Sequence, residues 1–370
     1  VCSSDLIELF SLIQTHIKRN KIIFIFILII IYLANNDFHS YKKKIGVIGL
    51  EHSQNVGNNL LKYAMFIKLS ELGYSPFIVG RKIISSNISF IQNNVNIRLI
   101  KNFSEIKENE FDILMVNSDQ TWRRCNADFF DVAFLKFAEN WNKTKFTYGT
   151  SFGVEIWELN KEDEKIAQNL LKSFSGLSVR ERSAIKLIEE HLGYKAQFVL
   201  DPTLLINKKY YLNLIKNFRS EILNQTNNFN YIFSYVLTTT SSNIKTYLEY
   251  IQNTTKLNMF FLTTAAKNQV QEFLYGIINS KAVITDSFHG TVFSILFNKP
   301  FISFQKESVD SRFNSLDEIF NIRNRIFKFD SFPPISLLNQ PLVIDENKLL
   351  LLKKESINYL KQNLEGSMKN

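Results

Sequence analysis

Short apolar runs that stop at a polar cluster and lead into a helical pattern recur along this chain. Lys44-Ile-Gly-Val-Ile-Gly-Leu50 leads into His52-Ser-Gln-Asn-Val-Gly-Asn-Asn59, and Phe111-Asp-Ile-Leu-Met-Val116 leads into Asn117-Ser-Asp-Gln-Thr-Trp122. Leu177-Ser-Val179 ends at Arg180-Glu-Arg182, Ala196-Gln-Phe-Val-Leu200 at Asp201-Pro-Thr203, and Ala282-Val-Ile-Thr285 at Asp286-Ser-Phe-His-Gly290. Strands that alternate with helical patterns pack as a parallel sheet covered by helices, and such sheets bind ligands beyond the carboxyl ends of their strands. The chain is therefore read as α/β, with these turns converging on a cleft. Loops are polar in general, which accounts for the Asn and Ser in the turns; the recurring Asp, Arg and His ask for more.

The last of these units is the most telling. Residues 282–304 read as a strand, a polar turn, an apolar helix from Thr291 to Asn298 and a second strand from Phe301 to Phe304. The start of such a helix offers free backbone N–H groups and a positive dipole end, which favour an anion. His289 in that turn can move protons near neutral pH. Together they suggest chemistry on a phosphorylated or carboxylated small molecule.

The 370 residues suffice for two cores of ordinary size. A net charge of +9 suits anionic substrates, an anionic membrane surface or nucleic acid. No basic stripe with interleaved aromatic residues and no nucleic-acid-binding motif is present, so no nucleic-acid partner is expected. Cys2 and Cys125 provide no disulfide framework, which fits a reducing, cytoplasmic compartment. The histidines at 16, 39, 52, 191 and 289 lack metal-ligand spacing, so no metal is expected. No Gly-x-Gly-x-x-Gly sits in a strand-to-helix turn, which argues against a nicotinamide cofactor.

Residues 1–43 are set apart as an N-terminal extension. Their apolar run, Ile22 to Ala34, is short of the roughly 20 residues a spanning helix needs. An extension outside the folded body ranks ahead of a membrane-associating segment, and that ahead of a signal sequence. Residues 44–210 are read as the first domain, 211–335 as the second, and 336–370 as a segment whose amphipathic helix, Asn347 to Leu364, folds back on the body. Within the first domain Asn58 is expected to cap a helix that Gly73 ends. Ser104 to Asn109 should form a short helix, Lys161 to Phe174 and Glu181 to His191 amphipathic ones. Tyr231 to Leu237 should open the second domain as a buried strand, followed by a helix over Ile244 to Thr255 and a strand over Met259 to Leu262.

Asn55-Val-Gly-Asn-Asn-Leu-Leu-Lys-Tyr-Ala64, Asn117-Ser-Asp-Gln-Thr-Trp122, Tyr148-Gly-Thr-Ser-Phe-Gly153, Ser178-Val-Arg-Glu181, Asp201-Pro-Thr203 and Asp286-Ser-Phe-His-Gly290 occur in this order. In that order and spacing they resemble the polysaccharide pyruvyl transferase family, from about Lys44 to Phe320. The resemblance implies two Rossmann-like domains facing a cleft, as in the glycosyltransferase B architecture. It also implies transfer of pyruvate from phosphoenolpyruvate, as co-substrate, to a sugar of a cell-surface polysaccharide precursor, forming a cyclic ketal in exopolysaccharide biosynthesis. Arg180 and His289 match family residues linked to donor binding or catalysis. Where members of established activity often carry Arg-Leu-His, this chain has Ser287-Phe288-His289, so an arginine for the donor's phosphate or carboxylate is missing there.

Such a transfer needs an acid for the enol carbon, a base for the sugar hydroxyls and cations for the donor's anionic groups. His289 is assigned the proton transfer and Arg180 the clamp on carboxylate or phosphate, against an ion pair with Glu181 or Asp201. Asp201 either orients a catalytic group or opens a turn. Asp119 and Gln120 are candidates for sugar hydroxyls, and Trp122 either stacks on a sugar face or packs inside. Asn55, Gly57 and Asn58 either admit a ligand to the backbone or form a capping turn. Asp286, Ser287 and Gly290 complete the His289 turn, and Arg312 and Asn314 are candidates for the missing arginine's role. The partners expected are an anionic donor and a sugar or lipid-linked glycan acceptor, with peripheral membrane association compatible with the charge. A nucleotide-sugar glycosyltransferase and a non-catalytic sugar- or nucleotide-binding relative are the alternatives.

Overall fold

The structure is a computed structural model describing residues 42–50, 55–81, 88–124, 129–220, 230–238, 241–262, 268–305 and 310–366. Cys2, Cys125, His16, His39, His52 and the Ile22–Ala34 run lie outside the described residues. Two wholly parallel sheets organise the body. In the first, seven strands run β3-β2-β1-β4-β5-β6-β7: β1 (Lys44–Ile48), β2 (Ser75–Arg81), β3 (Ile97–Ile100), β4 (Ile113–Asp119), β5 (Thr144–Thr150), β6 (Ser178–Val179) and β7 (Gln197–Phe198). In the second, five strands run β12-β11-β10-β8-β9: β8 (Tyr231–Tyr235), β9 (Asn258–Phe261), β10 (Ala282–Thr285), β11 (Phe301–Gln305) and β12 (Ile326–Lys328).

Parallel strands covered on both faces must be apolar along their length rather than alternating. Every residue of β4, β8 and β10 is buried. Fully burying a Val, Ile, Leu or Phe side chain contributes about 1.5–3 kcal/mol each, so these continuous runs fix the centre of each sheet. Among the described residues, besides the single turn Phe130–Ala133, the α-helices are α1 (Val56–Glu71), α2 (Ile88–Asn94), α3 (Lys161–Leu171), α4 (Arg182–Leu187), α5 (Lys208–Ile215), α6 (Ser242–Thr255), α7 (Gln269–Asn279), α8 (Phe288–Leu296), α9 (Ser311–Phe320) and α10 (Glu346–Glu365).

The two sheets share one core. Ile45 and Val47 of β1, Leu60 of α1, Val283 of β10 and Phe293 of α8 belong to a single buried cluster. In the seam, α1 lies against the Pro202–Leu204 turn, α7 and α8. α10 crosses back to the first sheet: Tyr359 Oη donates to the Thr147 carbonyl at 2.9 Å, and Ser356 Oγ accepts from Leu200 N at 2.9 Å. Among the described residues, no helix is long and apolar enough to cross a membrane.

Several boundaries differ from the sequence reading. α1 is capped by Asn55, whose Oδ1 accepts from Asn58 N at 3.1 Å, not by Asn58. The helix expected at 104–109 is a single 3-10 turn, Phe103–Glu105, closed by a reciprocal Asn102–Glu105 cap. α8 begins at Phe288 rather than Thr291, which puts His289 in the helix's first turn. β12 follows Phe301–Gln305, so Arg312 and Asn314 lie on a helix between two strands.

Candidate active site

The polar turns named from the sequence meet at the carboxyl ends of β4, β6, β7 and β10. Arg180 stands one residue beyond β6, with its side chain 1% exposed. Its Nη1 donates to Asp201 Oδ2 at 2.7 Å, and its Nη2 to Asp119 Oδ1 at 2.8 Å. Asp201 caps the Pro202–Leu204 turn, so its Oδ1 is occupied by Thr203 N at 3.0 Å and Thr203 Oγ1 at 2.6 Å. Asp119 ends β4 with φ at +81°, a left-handed conformation that a side chain adopts at a cost of about 1–3 kcal/mol. Part of that is offset locally, because its Oδ1 accepts from Gln120 N at 2.9 Å. Its Oδ2 accepts from Asn58 Nδ2 at 3.0 Å, tying the start of α1 into the cluster.

Burial works to raise both aspartates. Against it, the Arg180 guanidinium, reinforced by His289 and Arg312, holds Asp119 well below the usual carboxylate range. His289 and Arg180 do the same for Asp201. Burial alone would lower Arg180, yet the two carboxylates hold its pKa above the ordinary guanidinium value. The result is one buried cation locked between two buried anions.

His289 approaches this chain from the second sheet. Its Nε2 lies 3.7 Å from Asp201 Oδ2, beyond hydrogen-bond range, and has no hydrogen-bond partner among the described residues. The turn that presents it is held at several points. Ser287 caps α8 by accepting from Gly290 N at 3.3 Å, and Thr285 Oγ1 accepts from Ser287 N at 3.0 Å while donating to the Tyr235 carbonyl at 2.6 Å. Asp286 accepts from Leu237 N at 2.6 Å and Thr238 N at 2.8 Å, pinning the loop after β8. Two glycines permit close approach. A Cβ at Gly57 would overlap the His289 imidazole, and one at Gly290 would overlap Thr285 Oγ1.

Phe288 separates two arginines, with Arg180 Cζ 4.7 Å and Arg312 Cζ 5.5 Å from its ring centroid. Arg312 reaches the site from α9 and is braced by Asp310 through Nε at 2.9 Å and Nη2 at 2.6 Å. Asn314 points elsewhere, donating to Glu155 Oε1 at 2.8 Å.

One functional candidate escaped the sequence reading. Glu181 is completely buried; its Oε1 accepts from Ser151 Oγ and from Gly153 N at 3.3 Å, and its Oε2 has no partner among the described residues. Burial pushes its carboxyl up to about 7 despite the neighbouring Arg180. The only signal in the sequence is an acid directly after the arginine of a strand-end turn, which reads equally as a surface ion pair.

The structure thus brings together Arg180, Asp201, Asp119, Asn58, Gly57, His289, Ser287, Gly290 and Arg312. It changes several roles. Arg180 has both terminal nitrogens committed to carboxylates, so the clamp expected of it is reduced to Nε. Asp119 binds Arg180 and Asn58 rather than standing open for a hydroxyl. Trp122 is buried, its ring stacked 5.2 Å from Phe134 and its Nε1 donating to the Ala133 carbonyl at 3.3 Å, so it is a core residue and not a sugar platform. Gln120 lies over Gly153, Asn55 is a cap, and Asp286 holds a loop. Asn58 Oδ1, Asn117 Oδ1, Ser118 Oγ, Arg180 Nε, Glu181 Oε2 and His289 Nε2 are all buried without a hydrogen-bond partner among the described residues. Buried polar atoms are normally satisfied, and so many along adjoining strand ends mark a place for polar ligand atoms.

The solved structures that resemble this one share its fold at low identity. Neisseria meningitidis UDP-GlcNAc 2-epimerase bound to UDP-GlcNAc superposes with a TM-score of 0.55 at 10% identity, covering 89% of this chain and 100% of the other. S. aureus MnaA with UDP gives 0.54 at 14%, covering 87% and 97%. Arabidopsis thaliana UGT89C1 complexed with UDP-L-rhamnose gives 0.50 at 10%, covering 89% and 97%. The fold is thus the two-domain, glycosyltransferase-B-like one. Comparison with curated protein sequences gives no match. The profile described as polysaccharide pyruvyl transferase matches residues 55–305, a span that runs from the cap of α1 to the end of β11 and takes in Arg180, Asp201 and His289. This chain belongs to the polysaccharide pyruvyl transferase family, and with it to the transferases.

Proposed function

We propose that this transferase moves pyruvate from phosphoenolpyruvate to two hydroxyls of a sugar, free or lipid-linked, in a cytoplasmic precursor of a cell-surface polysaccharide. The observation that carries the reading is His289 Nε2, buried at 3.7 Å from a fixed Asp201 carboxylate with no hydrogen-bond partner among the described residues. A proton delivered to the terminal enol carbon leaves positive charge on the adjacent carbon, and the first sugar hydroxyl adds there. The second hydroxyl then displaces phosphate. Of the two hydroxyl protons, one replaces the proton given to carbon and the other leaves with phosphate. His289 is the group that handles these protons, and Asp201, fixed by Thr203 and Arg180, faces its ring at 3.7 Å.

The donor's anionic groups are assigned to the first-turn N–H groups of α8 and to Arg312, because Arg180 is largely spent on its own carboxylates. That same commitment of Arg180 favours keeping a second donor class, the nucleotide sugars that the fold relatives hold. The test is phosphate release from phosphoenolpyruvate in the presence of a sugar panel, alongside thermal shift with phosphoenolpyruvate and with UDP-sugars. A ligand at 100 times its Kd stabilises by about 2.7 kcal/mol. Release that is lost in His289→Gln, with phosphoenolpyruvate still stabilising the variant, supports the proposal. Stabilisation by UDP-sugars alone replaces the donor.

A further inference from the structure

Two stretches carry the chain between the sheets, Leu204–Lys208 outward and Leu342–Leu349 on the return. Both line a single cavity of about 550 Å³, and its remaining lining is Ile295, Leu296 and Asn298 at the C-terminal end of α8 with Lys353 of α10. His289 sits at the opposite end of that helix, roughly 10 Å away at 1.5 Å per residue, so this cavity is separate from the candidate active site. Its walls are mainly aliphatic, and their charged residues are Lys208, Lys353 and Glu346, two positive against one negative. Neither lysine makes an ion pair among the described residues. Burial, with Lys208 and Lys68 adding repulsion, lowers the Lys353 ammonium's pKa, and Glu346 alone works against them. The exposed rim is mixed: Val343 is 88% exposed, and Asn207, Lys208, Asn298 and Glu346 are exposed as well.

Two lysines and one carboxylate lining a mainly aliphatic cavity leave a net positive charge, which is complementary to a negative head group carrying an apolar tail. We propose that this hinge cavity is a second binding site, for an anionic amphiphile whose head group lies between Lys208 and Lys353 and whose tail follows α8 and Val343. Because both interdomain crossings form its walls, an occupant contacts the two chain segments about which the sheets would move. The proposal does not depend on the identity of the donor at the active site.

The full chain is titrated with 8-anilinonaphthalene-1-sulfonate, an aromatic sulfonate whose fluorescence rises on leaving water. The site predicts saturable binding that the double variant Lys208→Met/Lys353→Met weakens about tenfold or more, as expected for losing charge-assisted contacts. His289→Gln should bind the dye as the wild type does. Displacement by monomeric decyl phosphate, but not by decanol, supports the site with a free amphiphile as occupant. Displacement only by phosphatidylglycerol vesicles supports it with a lipid head group. Unchanged dye affinity in the double variant, displacement by neither anion, or displacement by decanol as readily as by decyl phosphate overturns it. Should the double variant fail to fold, wild-type affinity that does not fall between low and high NaCl overturns it equally.

Discussion

Glu181→Gln probes the electrostatics of the site more sharply than any change to the ion pairs. The carboxyl is wholly buried and is raised to about 7 from an ordinary value of 4.5, burial being the main cause. A group whose folded pKa is raised holds its proton more tightly in the native state. Its contribution is fully present below pH 4.5 and is lost as pH rises through 7. At about 1.4 kcal/mol per unit, ionising it in place costs about 3 kcal/mol. Glutamine has nearly the same shape and offers an oxygen to Ser151 Oγ and Gly153 N, but it cannot ionise. Urea denaturation of both proteins at pH 5 and pH 8 isolates the effect, because other titrating groups cancel in the difference. The variant should be close to wild type or slightly less stable at pH 5, and more stable by about 2–3 kcal/mol at pH 8. A difference between the two proteins that is the same at both pH values would refute the reasoning, since Glu181 would then keep one charge state throughout.

Three further outcomes follow from the geometry. Arg180→Met should cost about 3–5 kcal/mol, because it strands Asp119 and Asp201 as buried anions; adding Asp119→Asn and Asp201→Asn should recover part of that loss in denaturant titrations. Asp119 and Asp201 are held low, so their stabilisation is present above about pH 4 and disappears as pH falls through their native values; acid unfolding of Asp119→Asn should therefore be shallower than that of wild type. Gly57→Ala should destabilise by about 1–3 kcal/mol through overpacking against His289, with a larger proportional loss in kcat than in stability, read from turnover and melting of the same sample.

The strand-and-turn skeleton was legible because buried parallel strands write themselves as unbroken apolar runs, and β4, β8 and β10 are buried at every residue. Edge and short elements were not. β3 and β12 are only four and three residues long and are largely half-buried or exposed, so neither writes a buried apolar run into the sequence. The motifs located Arg180, Asp201 and His289 correctly at strand ends, but their partners are set by three-dimensional closure. The alternative of an Arg180–Asp201 ion pair is the one the structure shows, but nothing in Ser178-Val-Arg-Glu181 says that Asp119 claims the arginine as well, or that the glutamate lies in the dry interior. Trp122 was left open between a sugar platform and core packing, because an indole beside polar residues reads either way; the turn rotates it inward onto Phe134.

The return of α10 to the first sheet bears on how a ribosome must deliver this protein. Tyr359, Ser356 and Asn363 supply bonds to residues 147, 200 and 175, so the first sheet lacks one of its covering helices until almost the whole chain has emerged. At about 5–20 residues per second, the roughly 150 residues between Phe198 and Glu346 take on the order of ten seconds to synthesise. Throughout that interval the nascent first domain leaves bare the surface that later receives Tyr359 and Leu360. A ribosome paused in the α9 region would hold such a half-covered intermediate, and chaperone occupancy would peak there rather than at the end of the first sheet.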